Sequence, residues 1–582
     1  MELVIAGILA VAVLVAVTVF ARRLGVATPI ILVLAGIGIS LIPRVPQFDL
    51  PPDVVLHGLL PPILYAAAIS LPLPDFRRNL APIASLAVVL VLISAGVVGV
   101  LLWGLLPGLG LAVAVAVGAI VSPPDAVAAT SVGRTLGLPP RLLTVLEGEG
   151  LVNDATALVL LRSALGVAAG TLTSVWMGVA DFAWSAAVAI LIGLIVGFIT
   201  VFVRSKLDDP ALDAVISIAV PFLAYVPANG LGASGVLSVV MAGLYAGYVG
   251  PRRLSVRVRA SDRQLWRMIQ FILENGVFLI IGLEFGTFIE DAERVEFLGA
   301  WHAVGVGLLV MLALIVIRFV WIGPLLLLLR RGQRRAESRE RHGLQRLELV
   351  RQRLAEDPRL TDKPRIRRRF DRVEARFARK HWDLEHIKRE RFTWRSGVIL
   401  GWSGMRGVVT LAAAQSLPLG TPYRSALILI ACTVAVGTLL LQGFTLPWVI
   451  RRVAPERADP DHDREELDRL LEEVDAAGLA VLDDPAATLG VETSVDPVVV
   501  ERVRRSSEVR TAIARQAQEE AGEAELSPAE AFRRLRLAVV QAEREGLLSA
   551  RASGRYSTRA IEAVQDIIDR DELQLRREGS AH

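Results

Sequence analysis

Apolar runs of about 18 or more residues recur along the chain from Leu3 to Ile450 and then stop. Each is long enough to cross a hydrocarbon layer of ~30 Å. Reading the runs between charged residues or Gly/Pro breaks predicts thirteen membrane helices, starting near residues 3, 27, 54, 80, 111, 141, 178, 210, 232, 265, 298, 394 and 424. Two polar blocks stand outside this pattern. The chain therefore divides into a membrane domain of eleven spans (1–330), a basic helical insertion (331–393), two last spans (394–452) and a helical tail (453–582). The fold class predicted is an all-α polytopic membrane protein of about 13 transmembrane helices with a helical tail at one face.

Composition agrees: 53% hydrophobic residues and a mean hydropathy of +0.51 exceed what a soluble core needs. The formal charge of +4 hides a strong asymmetry. Arg22-Arg23, Arg77-Arg78, Arg134 with Arg141, Arg204 with Lys206, and Arg252 through Arg263 occupy the odd-numbered connections, and most even-numbered ones nearly lack Lys and Arg. Basic loops stay in the cytoplasm, so this predicts an N-terminus outside and a C-terminus inside a cell (inner) membrane. The run Leu3–Ala21 follows Glu2 and precedes Arg22-Arg23, the reverse of a signal peptide, and reads as a true first span. Between Arg330 and Arg391, Lys and Arg outnumber Asp and Glu two to one, which suits a solvated helical insertion beside anionic lipid headgroups. In the tail, Ser527-Pro528-Ala529-Glu530 has the form of an N-cap, a first-turn proline and a capping-box glutamate. The single cysteine, Cys432, lies in an apolar run and reads as packing. Nothing predicts a cofactor or a nucleic-acid partner.

Ionisable side chains inside a span are costly and mark cavities or partners. The sixth span contains Glu147-Gly148-Glu149-Gly150-Leu151-Val152-Asn153-Asp154-Ala155-Thr156. Asp154 lies thirteen residues from Arg141, about 20 Å at helical rise, which is close to mid-bilayer. Glu149 and Asn153 share a face, with Asp154 about 100° round. The tenth span carries Glu274-Asn275 and Glu284, for which packing hydrogen bonds and transport are equally good readings.

Two spans are predicted to break. In the fifth, Ser122-Pro123-Pro124-Asp125 places two prolines in the middle of an apolar run, which frees backbone groups and sets a hydroxyl and a carboxylate beside them. In the twelfth, Gly401-Trp402-Ser403-Gly404-Met405-Arg406-Gly407 sets glycines around a buried arginine that requires a carboxylate partner. The breaks fall seven spans apart with opposite membrane direction, the signature of an inverted-repeat transporter with two interrupted, crossing helices. No metal-ligand cluster, phosphate loop or nucleophile triad occurs, so an embedded enzyme is disfavoured. A gated cation channel is the alternative; it would need repeated rings of ligands, where this chain offers one site.

The run Glu149 to Asp154 resembles the Glu-Ser-Leu-Leu-Asn-Asp signature of the sodium/proton exchanger family of monovalent cation:proton antiporters. The resemblance extends to Leu60-Pro61-Pro62-Ile63-Leu64, Ser234-Gly235-Val236-Leu237, Glu274 eight residues before Gly282, and Gly404-Met405-Arg406-Gly407, and covers the membrane part to about residue 452. It implies exchange of sodium, potassium or lithium for protons in pH and cation homeostasis. It also implies a homodimer and an elevator-like movement of spans four to six and eleven to thirteen. Transferred residue by residue, Asp154 binds cation or proton, Asn153 is its neutral companion, Ser122 and Asp125 offer oxygen at the helix break, and Glu149 pairs with Arg406. Glu274 and Thr156 are accessory positions. The sequence departs from the family where Pro123 follows Ser122 and the acid is displaced to Asp125, where Gly150 replaces a serine, and where Ala66 stands in place of an acid. With Glu149 and Arg406 neutralising each other, and with Asp125 protonated or paired throughout, Asp154 is the one mobile charge, and the exchange is predicted to be electroneutral, one for one.

Overall fold

The computed structural model describes residues 11–21, 28–40, 42, 51–171, 175–207, 209–293, 299–356 and 391–453, with scattered positions in 373–388 and 476–505. Among them every regular element is helical. In chain order these are α1 (Val11–Ala21), α2 (Thr28–Ser40), α3 (Val54–Ser70), α4 (Leu73–Arg78), α5 (Leu80–Leu105), α6 (Leu111–Val121), α7 (Val127–Thr135) and α8 (Pro140–Ala168). There follow α9 (Val175–Arg204), α10 (Pro210–Gly230), α11 (Gly235–Arg253), α12 (Val256–Glu293), α13 (Ala300–Glu356), α14 (Trp394–Trp402), α15 (Val408–Gln415) and α16 (Arg424–Val453). Seven of these, α5, α8, α9, α10, α12, α13 and α16, are long and apolar enough to cross a bilayer, and α1, α2, α3 and α6 are shorter apolar helices. In lipid a helix is the form that satisfies every backbone donor and acceptor within one segment, so apolar runs of this length fold as they do.

Helix starts follow local chemistry. Asp209 accepts from the Ala211 N–H at 2.7 Å with Pro210 in the first turn of α10. Ser234 accepts from Leu237 at the head of α11, and Thr393 from Ser396 at the head of α14. The sequence places the end of the eleventh span at residue 330, but α13 runs on to Glu356, so the first part of the basic insertion is continuous with the span. The rest of that insertion lies mostly outside the described residues. So do residues 3–10 of the first span and the Ser527 capping box. The chain forms two compact units, Met1–Arg457 and Ala458–His582; in the second, a 3₁₀ turn at Ala480–Asp483 is described.

Within the first unit the helices pack in two groups. In one, α2 lies on α12, and α11 receives α3, α9 and α10. The contact of α2 with α12 is backbone to backbone: a Cβ on Gly36 would stand 2.8 Å from the Gly282 Cα. This group is tied by a fully buried guanidinium. Arg204 donates to both Asp213 oxygens at 2.8 Å and meets Asp262 at 2.9 Å. The sequence reads Arg204 as a loop arginine; it is 1% exposed because α10 and α12 bring Asp213 and Asp262 against the end of α9.

In the other group α5 and α8 pack on α6, and α13 and α15 pack on α16. Both predicted breaks are present, at residues 122–126 between α6 and α7 and at 403–407 between α14 and α15. They meet, because the Asp125 N–H donates to the Met405 carbonyl at 2.5 Å.

The expected pairing of Glu149 with Arg406 is not what the structure forms. Glu149 is taken by Arg318 of α13, with Nη1 to Oε1 at 2.5 Å and Nη2 to Oε2 at 2.8 Å. Arg318 also donates through Nε to the Leu400 carbonyl at 2.8 Å, near the C-terminus of α14. Arg406 instead donates through Nε to the Val121 carbonyl at 3.1 Å, at the C-terminus of α6, and to the Gly404 carbonyl. The physical reason is that each half-helix ends with unsatisfied carbonyls carrying about −0.5 charge, and these accept from a guanidinium and partly offset its charge, as a carboxylate would.

Removing one partner of a fully buried pair strands the other charge, so Arg318→Ala is expected to cost roughly 3–5 kcal/mol of stability. Thermal melts in detergent of Arg318→Ala, Glu149→Ala and the double variant should be strongly non-additive, and the Arg406→Ala, Glu149→Ala cycle closer to additive. Additive losses in the first cycle would contradict the pairing.

Candidate functional site

A cavity of about 570 Å³ lies between the two helix groups. At one end its lining reaches Arg134, Glu147, Arg263 and Arg267, near the ends of α7, α8 and α12. Arg134 and Glu147 pair there at 2.5 Å, and Arg263 and Arg267 are exposed. Toward the middle of the helices it is lined by Asp125, Asp154, Gly407 and Thr410, with Gln270 and Glu274 on the α12 wall. Asp154 is seven residues beyond Glu147 on α8, about 10 Å at helical rise. The cavity thus leads from the basic face to a half-buried carboxylate inside the bundle.

The helix breaks build the inner wall. Pro123 and Pro124 cannot donate, so the chain leaves α6 at Val121 and re-enters a helix at Val127. Asp125 caps the new start by accepting from the Val127 N–H at 2.8 Å. Gly407, at the head of α15, presses against Asp125 so closely that a Cβ there would collide with its carboxylate. Asp125 is therefore held at the N-termini of two half-helices at once. Each N-terminus carries about +0.5 charge, so together they offset one carboxylate.

Asn153 is completely buried and holds the break from behind, its Nδ2 donating to the freed Pro124 carbonyl at 2.6 Å. Its Oδ1 is buried without a hydrogen-bond partner. Such an oxygen is costly to leave alone, and it is an acceptor one residue from Asp154.

Of the site residues predicted from sequence, Asp154, Asp125 and Glu274 share the cavity, and Asn153 stands behind it. Ser122 does not reach it: the hydroxyl is buried and donates to the Gly118 carbonyl at 2.6 Å. Thr156 likewise donates to Val152 at 3.1 Å within its own helix. Glu274 accepts from Gln270 at 2.7 Å, whereas Glu284 receives Gln415 at 3.2 Å and lies off the cavity. Sequence reasoning passed over Thr410 and Gln270, which carry no charge to flag them. It also passed over Arg318, although a lone arginine in Leu314–Leu329 is the signal that singled out Arg406.

Among the described residues no group of three or more His, Cys, Asp or Glu side chains is placed to hold a metal ion. What the geometry offers is a carboxylate, Asp154, in the wall of a cavity that Asp125 and Glu274 also line, with the unpartnered amide oxygen of Asn153 on the neighbouring residue. Such a carboxylate can take up a proton or a small monovalent cation, and the two compete for the same oxygens.

Comparison with known proteins points the same way. The family model described as "Sodium/hydrogen exchanger, transmembrane" matches residues 9–452. The chain is 28% identical over 570 residues to an uncharacterized Na(+)/H(+) exchanger, Rv2287, of Mycobacterium tuberculosis, covering 96% of this chain and 93% of the relative. It is 26% identical to the Na(+)/H(+) antiporter ApNhaP of Aphanothece halophytica, covering 73% and 69%. The fold resembles that of the sodium proton antiporter MjNhaP1 from Methanocaldococcus jannaschii, with a TM-score of 0.54 at 16% identity over 78% of this chain and all of that one. This multi-pass membrane protein belongs to the sodium/hydrogen exchanger family.

Proposed function

We propose that the chain exchanges sodium for protons across the cell membrane, one for one, by alternating exposure of Asp154 to the two sides. The single observation that carries this reading is the placement of Asp154 in the wall of a cavity, one residue along α8 from an amide oxygen with no partner. Sodium rather than potassium or lithium is chosen because the printed names of the relatives above are of sodium exchangers and antiporters. Asp154 binds the ion, and the Asn153 Oδ1 supplies a second oxygen. With a proton on Asp154 the same Oδ1 accepts its hydrogen bond.

Charge counting supports electroneutrality by a route different from the one the sequence suggested. Arg318 and Arg406 bring two positive charges. Glu149 offsets one, and the C-termini of α6 and α14, about −0.5 each, offset the other. Asp125 is offset by the N-termini of α7 and α15. Among the charges at the helix crossing Asp154 is then the one left over; Glu274 stands on the α12 wall, in the other helix group. Asp154 is neutralised by either a proton or a monovalent cation, and an empty, charged site crosses the membrane poorly.

The moving part in this reading is α5–α8 with α13–α16, sliding against α2, α3 and α9–α12 in an elevator manner within a homodimer. The N-terminus is outside, the basic face is cytoplasmic, and the cavity is open to the cytoplasm.

Asp154→Asn should fold and yet abolish exchange, because an amide can neither bind a proton nor offset a cation. The measurement is dequenching of a pH dye in inverted vesicles on adding sodium, and sodium-driven proton flux in that variant would overturn the assignment. In proteoliposomes with the potential clamped by potassium and valinomycin, sodium-driven rates should not respond to voltage. The apparent sodium affinity should weaken as pH falls, since protons then outcompete the cation. Asn153→Asp adds a second titratable group and should make the exchange voltage-dependent if it still turns over. Voltage dependence already present in the unaltered protein would show that Asp125 takes part in the cycle.

A further inference from the structure

The seam between the two helix groups runs on beyond the cavity, toward the face opposite the basic one. Among the described residues, side-chain hydrogen bonds cross this seam at two places there. On α8, Arg162 lies eight residues past Asp154, about 12 Å farther from the mouth. Its Nη1 donates to the Gly232 carbonyl at 2.6 Å, in the turn between α10 and α11. Its Nη2 donates to both oxygens of Asp181 on α9, at 3.1 and 3.3 Å, and the neighbouring Ser163 hydroxyl donates to Asp181 at 3.2 Å. On the other flank Gln415, the last residue of α15, donates through Nε2 to Glu284 of α12 at 3.2 Å. Glu284 is ten residues past Glu274, about 15 Å along the helix.

Each contact joins one helix group to the other, and both lie on the side of Asp154 away from the cavity. Neither has a role in binding the ion. A structural reading alone explains them poorly. Arg162 is 44% exposed and Asp181 32%, and pairs that open to solvent add little to folding stability. Glu284 and Gln415 are buried, yet an apolar pair would pack there without desolvating a carboxylate. A sliding seam gives them a use, because contacts made in one position and broken in the other bias the equilibrium between the two by their own free energy.

We propose that Arg162 with Asp181 and the Gly232 carbonyl, and Gln415 with Glu284, form a two-point clasp that closes the far side of the seam while the cavity is open at the basic face. The clasp must release each time Asp154 is exposed to the opposite side. Arg162 is in this sense a positioning residue: it sets how the protein divides its time between the two exposures and does not touch the ion. The inference rests on the alternating-access reading above, but it has a readout that is independent of ion binding.

The test uses the full-length chain with Cys432→Ser and a reporter cysteine at Ala67, which lines the cavity from α3. In inside-out vesicles the labelling rate with a membrane-impermeant maleimide measures how often the cavity is open at the basic face. Arg162→Gln and Gln415→Ala should each slow labelling several-fold, and Asp181→Glu, which keeps the carboxylate, should restore most of the rate lost in Asp181→Asn. Unchanged labelling in Arg162→Gln and Gln415→Ala would overturn the clasp while leaving the role of Asp154 intact. Should a variant fail to insert, a second arm decides. Arg162→Cys with Asp181→Cys, bridged by a bis-methanethiosulfonate, should stop exchange until a reductant is added. Exchange that continues with the bridge in place would show that the seam does not open there.

Discussion

The structure depends on how two interrupted helices share charge where they cross. Breaking a helix in the middle of a membrane exposes two carbonyl ends and two amide ends for each crossing pair, and lipid offers nothing to satisfy them. Arg318 and Arg406 are placed at the carbonyl ends, at Leu400 and Val121. Asp125 is placed between the amide ends, capping α7 and pressed by Gly407 at the head of α15. The backbone bond from Asp125 to Met405 locks the two breaks together. Each of these groups would be expensive in the bilayer alone, and each is present because another offsets it.

That balance explains the rest of the site. Glu149 is absorbed by Arg318, so it sits four residues from Asn153 on the same helix without competing for the cavity. Asn153 spends its amide group on the Pro124 carbonyl, which exists as an open acceptor because the prolines ended α6. The amide oxygen is left over, and so is the charge of Asp154 on the neighbouring position. At the crossing the other charges are thus offset, and under the proposed exchange Asp154 is the group left to carry the ion.

The seam that this site faces joins two helix groups held by different means. One is fastened by Arg204 between Asp213 and Asp262 and by the close approach of Gly36 and Gly282. The other is fastened by Arg318 and by the crossing itself. Each group is internally tied, and the cavity lies at their junction.

Much of this was legible from residue order alone. Period and length of the apolar runs give the helices, since lipid permits almost no other solution, and Pro123-Pro124 and the glycines near Arg406 mark the two breaks because proline and glycine act on their own backbone. Asp154 stands out because a carboxylate deep within a span is costly wherever the span is placed. Partnership was not legible. Glu149 and Arg318 are separated by 169 positions, and nothing local distinguishes Arg318 from Arg406 as the match for a carboxylate. Hydroxyls were misjudged for a related reason: Ser122 and Thr156 have the right oxygen for an ion, but a helix offers each its own carbonyl four residues back, at 2.6 and 3.1 Å. Which buried charge meets which, and which polar atom is left without a partner, depends on distances across the bundle. Those distances follow from packing, which only the tertiary structure decides.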